Sequence, residues 1–311
     1  MELKYDISEY IAMARMSSKI RVLVEGKDDR GHVLNLLKIL APRLRIKVDI
    51  AVDILGECNA TRSNNRAKIE GIHLQCKAAS THRKLFFLCD REFRNFTIEN
   101  EIKDLSVVHE VDGNLSWTLG HSIENYFLSP YMLSEGFRFL SGSGSKDAAL
   151  RLFNDCFDDS IRKIAAVTLA AKVLNCANYP ASIVKWHNVA FEGGVIDLGF
   201  RNEPVQDEFM EKFVNIYEGF LVVVDNTDID ICTRLCRGHT AVLLLQRLYA
   251  ASLYFAGKEE DDDAARYDAN LFSNVPESSL SAALSEAWIR KVSEGGKFYP
   301  LPLVDSVISV A

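Results

Sequence analysis

Three short acidic clusters carry the residues whose type and spacing could do chemistry: Val24-Glu25-Gly26-Lys27-Asp28-Asp29, Asp90-Arg91-Glu92 and Ile123-Glu124-Asn125-Tyr126. Each follows an apolar run or lies in an apolar stretch, where an unpaired carboxylate is costly to bury. A divalent cation would supply the missing positive charge, and hard carboxylate oxygens suit magnesium or manganese. Plainer structural roles compete with that reading. Asp28 or Asp29 would serve as a helix N-cap, Asp90 and Arg91 as a surface ion pair at a turn, and Glu124-Asn125 as a helix cap or link. The case for chemistry rests on the joint arrangement of the clusters.

That arrangement depends on the elements that carry them. A β-branched run at residues 19–24 reads as a first strand, broken at Glu25-Gly26. Val33, Leu34, Leu36, Leu37 and Leu40 then share one side of a helix that ends before Pro42. Residues 46–55 read as a second strand, 56–65 as a polar loop and 67–79 as a helix. Leu85-Phe-Phe-Leu-Cys89 is apolar at every position, which suits a strand buried on both faces of a parallel sheet. Residues 107–111 read as a fourth strand. The alternation predicts an α/β fold, a parallel sheet of about four strands flanked by helices, with right-handed crossovers. Ligands of such sheets bind beyond the carboxyl ends of the strands, which points to Glu25-Gly26 and to Asp90-Arg91-Glu92. In extended geometry Glu92, two residues beyond Asp90, would point to the same side.

Beyond residue 130 the pattern becomes mainly helical. Helices are expected over residues 148–175, 207–224, 241–256 and 280–292, with a strand at 183–189 and a solvated acidic loop at Glu259-Glu-Asp-Asp-Asp263. The expected division is a catalytic domain over 1–130 and a helical dimerisation or partner-binding domain over 131–311.

Composition bounds the function classes. The chain has 311 residues, 48% hydrophobic and 25% charged, in the ordinary globular range rather than that of disordered or fibrous proteins. Its apolar runs are far shorter than the ~20 residues that span a bilayer, and the N-terminus lacks the pattern of a signal peptide. A cytoplasmic protein that binds no membrane is the expectation. Seven cysteines, scattered and odd in number, fit reduced thiols rather than a disulfide scaffold. Cys232, Cys236 and His239 have no second CxxC pair and read as helix packing, and Cys89 reads as a small core residue. The net charge of −7 hides an asymmetry: residues 1–84 hold 16 Lys and Arg against 10 Asp and Glu, so the N-terminal part is basic and the remainder acidic. There is room for an anionic ligand in the basic part. No GxxxxGK[ST] and no GxGxxG after the first strand occur, which excludes a P-loop ATPase and argues against a dinucleotide-binding domain. His121 beside Ser122 is not a catalytic triad.

The acidic arrangement resembles the Toprim domain, the metal-binding fold of topoisomerases, primases and overcoming-lysogenization-defect (OLD) nucleases. That family carries a glutamate-glycine pair after its first strand and a DxD motif after its third. Val22-Leu-Val-Glu25-Gly26 matches the first, and Asp90-Arg91-Glu92 the second with glutamate at its last position. Asp29 fills the place of the acid found four residues after the glutamate in nuclease members. The likeness covers residues 18–128. The run from Gly120 to Pro130, with Arg237-Gly-His239, is similar to stand-alone Toprim proteins encoded beside ABC-type ATPases. The resemblance implies a toxic nuclease held inactive by an ATPase partner and released on sensing phage. It further implies cleavage of host tRNA and a homodimeric active form.

Phosphodiester hydrolysis needs an activated water, charge neutralisation at phosphorus and a stabilised leaving oxygen, and one or two Mg2+ or Mn2+ ions supply all three. The expected assignment gives Asp90 and Glu92 the metal, with Asp29 completing the shell. Glu25 binds metal or takes the proton from water, and Glu124 is a further acid near the same edge. Lys27, Arg62, Arg66 and Lys68 are the candidate phosphate contacts, whereas Arg83 and Lys84 precede the third strand and belong to the opposite end. Two alternatives stand beside this one. The same centre could act on DNA, as OLD nucleases do, or the acids could belong to a non-catalytic module that binds a metal, a nucleotide or a partner.

Overall fold

The computed structural model describes residues 5–56, 59–62, 64–77, 79–202 and 207–310. In chain order the first elements are α1 (Ile7–Met16), β1 (Ile20–Val24), α2 (Lys27–Leu40), β2 (Ile46–Ile50), α3 (Asn59–Arg62), α4 (Asn65–Cys76) and β3 (Leu85–Cys89). Then come β4 (Phe96–Ile98), β5 (Ile102–Asp104), β6 (Val111–Asp112) and β7 (Leu115–Trp117). The helices α5 (Pro130–Leu140), α6 (Lys146–Asp155), α7 (Phe157–Val173) and α8 (Tyr179–Ile183) lead to a hairpin of β8 (Ala190–Glu192) and β9 (Val195–Asp197). Five helices close the chain: α9 (Glu208–Asp225), α10 (Ile229–Leu235), α11 (Gly238–Gly257), α12 (Asp262–Ser273) and α13 (Glu277–Ser293), with α14 (Leu301–Ser309) after them as a sixth.

The chain divides into two compact units. The first comprises Met1–Arg91, Ser106–Ile123 and Ile289–Ala311, and the second Glu92–Leu105 and Glu124–Trp288.

The first unit is built on a five-stranded sheet of order β2-β1-β3-β7-β6, in which β2, β1, β3 and β7 are parallel and β6 is an antiparallel edge. Every residue of β1 and of β3 is buried, as the uninterrupted apolar run of β3 requires of a strand covered on both faces. Leu23, Leu85, Phe87 and Cys89 face a core shared with Ile7 and Tyr10 of α1 and Ile69, Ile72 and Cys76 of α4. Val22, Val24, Phe86 and Leu88 lie on the other face by the period-2 rule, where α2 packs against β2 and α14 against β3 and β7. The one polar intrusion into β1, Arg21, pairs with Asp49 of β2 at 2.5 Å, and the Tyr10 hydroxyl donates to the same carboxylate at 3.3 Å. Strand order reverses direction at β1, since β2 lies on one side of it and β3 on the other. The crevice beyond the carboxyl ends of β1 and β3 is therefore the topological switch point.

Several expectations need correction. The fourth parallel strand is β7 and not residues 107–111: Val107 and Val108 are 83% and 72% exposed, whereas Leu115, Ser116 and Trp117 are buried. A β-branched pair with no apolar neighbours in register had outweighed a three-residue strand too short to announce itself. β2 ends at Ile50, and Ala51–Asp53 turns as a 3-10 helix. The polar loop over residues 56–65 contains α3 among its described residues. The helix expected over 148–175 is two helices broken at Cys156, and residues 183–189 hold a 3-10 turn, Trp186–Asn188, instead of a strand. Within the acidic stretch Asp261 caps α12, accepting from the Ala264 N–H at 3.0 Å.

The second unit is mainly helical, with α7 against α9 and α11 against both α6 and α12. Phe137, Phe153, Tyr249 and Phe272 stack edge-on or tilted at its centre, centroids 4.6–5.9 Å apart. Cys232 and Cys236 are buried, their thiols near the carbonyls of Val224 (3.8 Å) and Ile161 (3.6 Å), while His239 pairs with Glu277. The two thiols are core residues of the second unit, and His239 is the partner of Glu277. The free cysteines described are Cys76, Cys89, Cys156, Cys176, Cys232 and Cys236.

Candidate active site at the carboxyl edge of the sheet

β1 delivers Glu25 and β3 delivers Asp90 to the switch point, because the strands pair in parallel with Leu23 opposite Phe87. The two residues meet directly: the Asp90 backbone N–H donates to Glu25 Oε1 at 3.0 Å. The expectation that Glu25 and Asp90 leave their strands at one edge of the sheet is thus met for this pair. Asp29 is held at the same rim by a bond to its own helix. Gly26 is the N-cap of α2, and its N–H donates to Asp29 Oδ2 at 2.7 Å. Of the two acids expected at the cap, Asp29 thus closes the start of the helix from its third position, and Asp28 is exposed. An acid at this place also faces the positive end of the α2 dipole.

Cys89 reports on the local field. Its thiol is buried at the last position of β3, and burial pushes it well above the usual range. The Glu25, Glu70 and Asp90 carboxylates push it further in the same direction, and the Arg66 guanidinium opposes them. Glu70 and Arg66, both on α4, therefore belong to this neighbourhood. Glu70 was missed in the sequence because it sits inside a helical stretch with no flanking motif; its only signal is that α4 follows β2 and must lie over the sheet.

The loop after β7 completes the rim. The Thr118 hydroxyl accepts the Arg91 N–H at 2.9 Å and donates to the Gly120 carbonyl at 2.8 Å. Arg91 is only 1% exposed, and its Nη1 donates to the Leu119 carbonyl at 2.7 Å. It is a buried clamp between the ends of β3 and β7.

Glu92 and Glu124 belong to the second unit. Glu92 has φ of 50°, in the left-handed region, so the chain turns sharply there and the extended run expected through Asp90-Arg91-Glu92 is not formed. Beside Glu124, the Asn125 amide donates to the carbonyls of Thr233 (2.7 Å) and Cys236 (2.9 Å), closing the C-terminus of α10. Tyr126 stacks on Trp288 at 6.1 Å. Among the phosphate candidates, Lys27 and Arg62 are exposed and Arg66 is half-buried. Lys68 is buried at 4% exposure, with its ammonium donating to the Ala51 carbonyl and to Asn65 Oδ1, both at 3.1 Å, which gives it a structural duty under α4.

The carboxylates of Glu25, Asp29 and Asp90 are hard oxygen donors of the kind that fits Mg2+ or Mn2+. Among the described residues no three His, Cys, Asp or Glu side chains are gathered into a ligand cluster. No helix among the described residues is long and apolar enough to cross a membrane.

No family model matches the chain, and no curated protein matches it.

Proposed function

We propose that the chain is a divalent-metal-dependent phosphodiesterase of the Toprim type that cleaves RNA, with tRNA as its substrate. The observation that supports it most is the apposition of Glu25 and Asp90 across the switch point, joined through the Asp90 amide. When bound, Mg2+ would supply an activated water and neutralise charge at the phosphorus. Asp90 would hold the metal, and Glu25 would hold it or accept the proton of the attacking water. Lys27 and Arg62, exposed, and Arg66, half-buried, would neutralise flanking phosphates. The proposal rests on Glu25 and Asp90, which share one unit.

In its narrower form the proposal likens the chain to AriB, the effector of the PARIS anti-phage system: a toxic homodimeric nuclease held inactive by an ABC-type ATPase partner. The test is incubation of the purified chain with Mg2+ and tRNA, and separately with plasmid DNA. Cleaved tRNA, lost on chelation and in Asp90→Asn, is expected. Plasmid nicked while tRNA stays intact would move the activity to DNA, and neither cut would leave no nuclease.

A second reading, a non-catalytic module that binds a metal, a nucleotide or a partner, has its own support. Asp29 is used to start a helix. It predicts that Asp90→Asn leaves every cellular effect of the chain in place.

A further inference from the structure

The end of the first unit opposite the acids has a charge pattern of its own. Three stretches flank the amino ends of β1, β2 and β3: residues 10–24, 30–48 and 71–89. Together they contain eleven Lys and Arg and not one Asp or Glu. Each stretch is bounded at its carboxyl-edge side by an acid already described, Glu25, Asp29, Glu70 and Asp90. The acids gather at the carboxyl edge, together with Lys27, Arg30, Arg62 and Arg66, whereas the remaining cations of these stretches lie toward the amino edge, where Lys77 is paired with Asp112.

Topology turns part of this into a row. Arg45 immediately precedes β2, Lys19 immediately precedes β1 and Lys84 immediately precedes β3, and these strands are neighbours in the order β2-β1-β3. Neighbouring strands lie about 4.8 Å apart, so three cations are ranged at short intervals along one edge. Lys84 donates to the Ser18 carbonyl at 3.5 Å, which holds it beside the start of β1. Arg15 at the end of α1, Lys38 in the last turn of α2, Arg43 and Arg83 widen the row. None of these seven is in an ion pair among the described residues, whereas Arg21 and Lys47 pair with Asp49, and Lys77 with Asp112.

A structural duty accounts for only a fraction of them. α1, α2 and α4 all end at this edge, and each helix C-terminus carries about half a negative charge. Three helices therefore call for roughly one to two cations, against seven. Between Lys19, Lys38 and Arg45 lies a cavity of about 490 Å³ with an apolar floor that includes Leu34, Leu37 and Leu44. A ligand with regularly repeated negative charge and flat apolar groups fits a cationic row over such a floor. A nucleic-acid strand has a charge at every step whatever its sequence, and its bases supply the flat faces.

We propose that this amino-end edge is a docking surface for single-stranded nucleic acid, with backbone phosphates along Arg45, Lys19 and Lys84 and a base over the floor of the cavity. It rests on the nuclease reading only for its purpose, anchoring substrate away from the acids; the binding itself requires no cleavage. The test measures anisotropy of a labelled uridine oligonucleotide of about 15 nucleotides with the full chain in EDTA, as a function of salt. The variant Lys19→Gln/Lys38→Gln/Arg45→Gln alters three exposed side chains. It is expected to weaken binding at least tenfold near 0.1 M salt and to lower the slope of log K against log salt by about 2, at roughly 0.7 per phosphate contact. Arg45→Gln alone, a reserve should the triple variant melt early, lowers the slope by about 0.7. Lys103→Gln in the second unit leaves binding as it is. The proposal is overturned if the wild-type chain does not bind the oligonucleotide, if the triple variant binds as the wild type does, or if polyglutamate binds this edge and the oligonucleotide does not. Binding with no cleavage of any nucleic acid in Mg2+ would remove the nuclease reading and leave the surface standing. Cleavage with undiminished binding by the triple variant would do the reverse.

Discussion

Substitution of Glu25 separates its structural role from its chemical one. Its Oε1 accepts the Asp90 N–H at 3.0 Å. Glutamine places a carbonyl oxygen where that acceptor was and removes the charge; alanine removes the acceptor as well. A hydrogen bond to a charged group contributes about 1.5–3 kcal/mol and a neutral one about 0.5–1.5. Because Glu25 is half-buried the lower halves apply, so Glu25→Gln loses about 1 kcal/mol of bond and Glu25→Ala about 2. Relief of repulsion from Glu70 and Asp90 works the other way, by at most about 1 kcal/mol in a water-like dielectric. The net expectation is a melting temperature unmoved in Glu25→Gln and lowered in Glu25→Ala by about 1 kcal/mol, or roughly 2–4 °C. Both variants lose Mg2+-dependent cleavage, by about 100-fold or more if Glu25 is the base. Scanning calorimetry reads the first quantity and gel analysis of tRNA the second. An alanine variant that melts with the wild type would refute the linkage of Glu25 to Asp90. A glutamine variant that cleaves normally would refute its chemical role and leave the linkage intact.

Arg91→Met takes from the part-buried Leu119 carbonyl the donor now 2.7 Å away; a loss of about 2 kcal/mol is expected by calorimetry, not rescued by Arg91→Lys because a point charge lacks the guanidinium fork. Cys89, raised above the usual thiol range first by burial and then by three carboxylates, stays unalkylated at pH 8 in the native chain and reacts once denaturant opens the first unit, as mass spectrometry of its peptide will show. The Lys77 ammonium, bonded to Asp112 together with His73, holds that carboxyl below its ordinary value. A depressed carboxyl adds stability that is full above its unfolded value and is lost as pH falls through the folded one. Lys77→Met should therefore raise the Asp112 titration seen by NMR and diminish the acid-induced loss of stability that the wild type shows.

Legibility in the sequence followed how directly a local pattern fixes the structure. Leu85-Phe-Phe-Leu-Cys89 is a strand to the residue, since a short apolar run bounded by polar residues suits a doubly covered central strand. Glu25 and Asp90 could be placed on one rim because each directly follows such a strand and parallel strands end at the same edge. The reach of that inference stops where the backbone leaves regular geometry. Glu92 depends on a residue with positive φ, for which Glu carries no sequence mark as Gly would. Lys68 reads as a solvated cation in composition, yet one helical turn places its ammonium against the Ala51 carbonyl, a contact between segments that no local window contains. β7 is three residues long and was hidden behind the more conspicuous Val107-Val108 pair, which the structure leaves in solvent.

The cations at the amino edge show the same principle in reverse. Arg83 and Lys84 were set aside because they precede a strand, the right inference for residues sought at the carboxyl edge. Parallel pairing that gathers Glu25 and Asp90 at one rim must gather Arg45, Lys19 and Lys84 at the other, so a single topological fact sorts both sets. Net charge is blind to this. A chain of net −7 can hold a polyanion if its cations share one edge, because screening at physiological salt confines each charge to about 8 Å. A strand lying along that edge meets the local row of cations and only weakly the acids at the far ends of the same strands, some five residues or ~16 Å away.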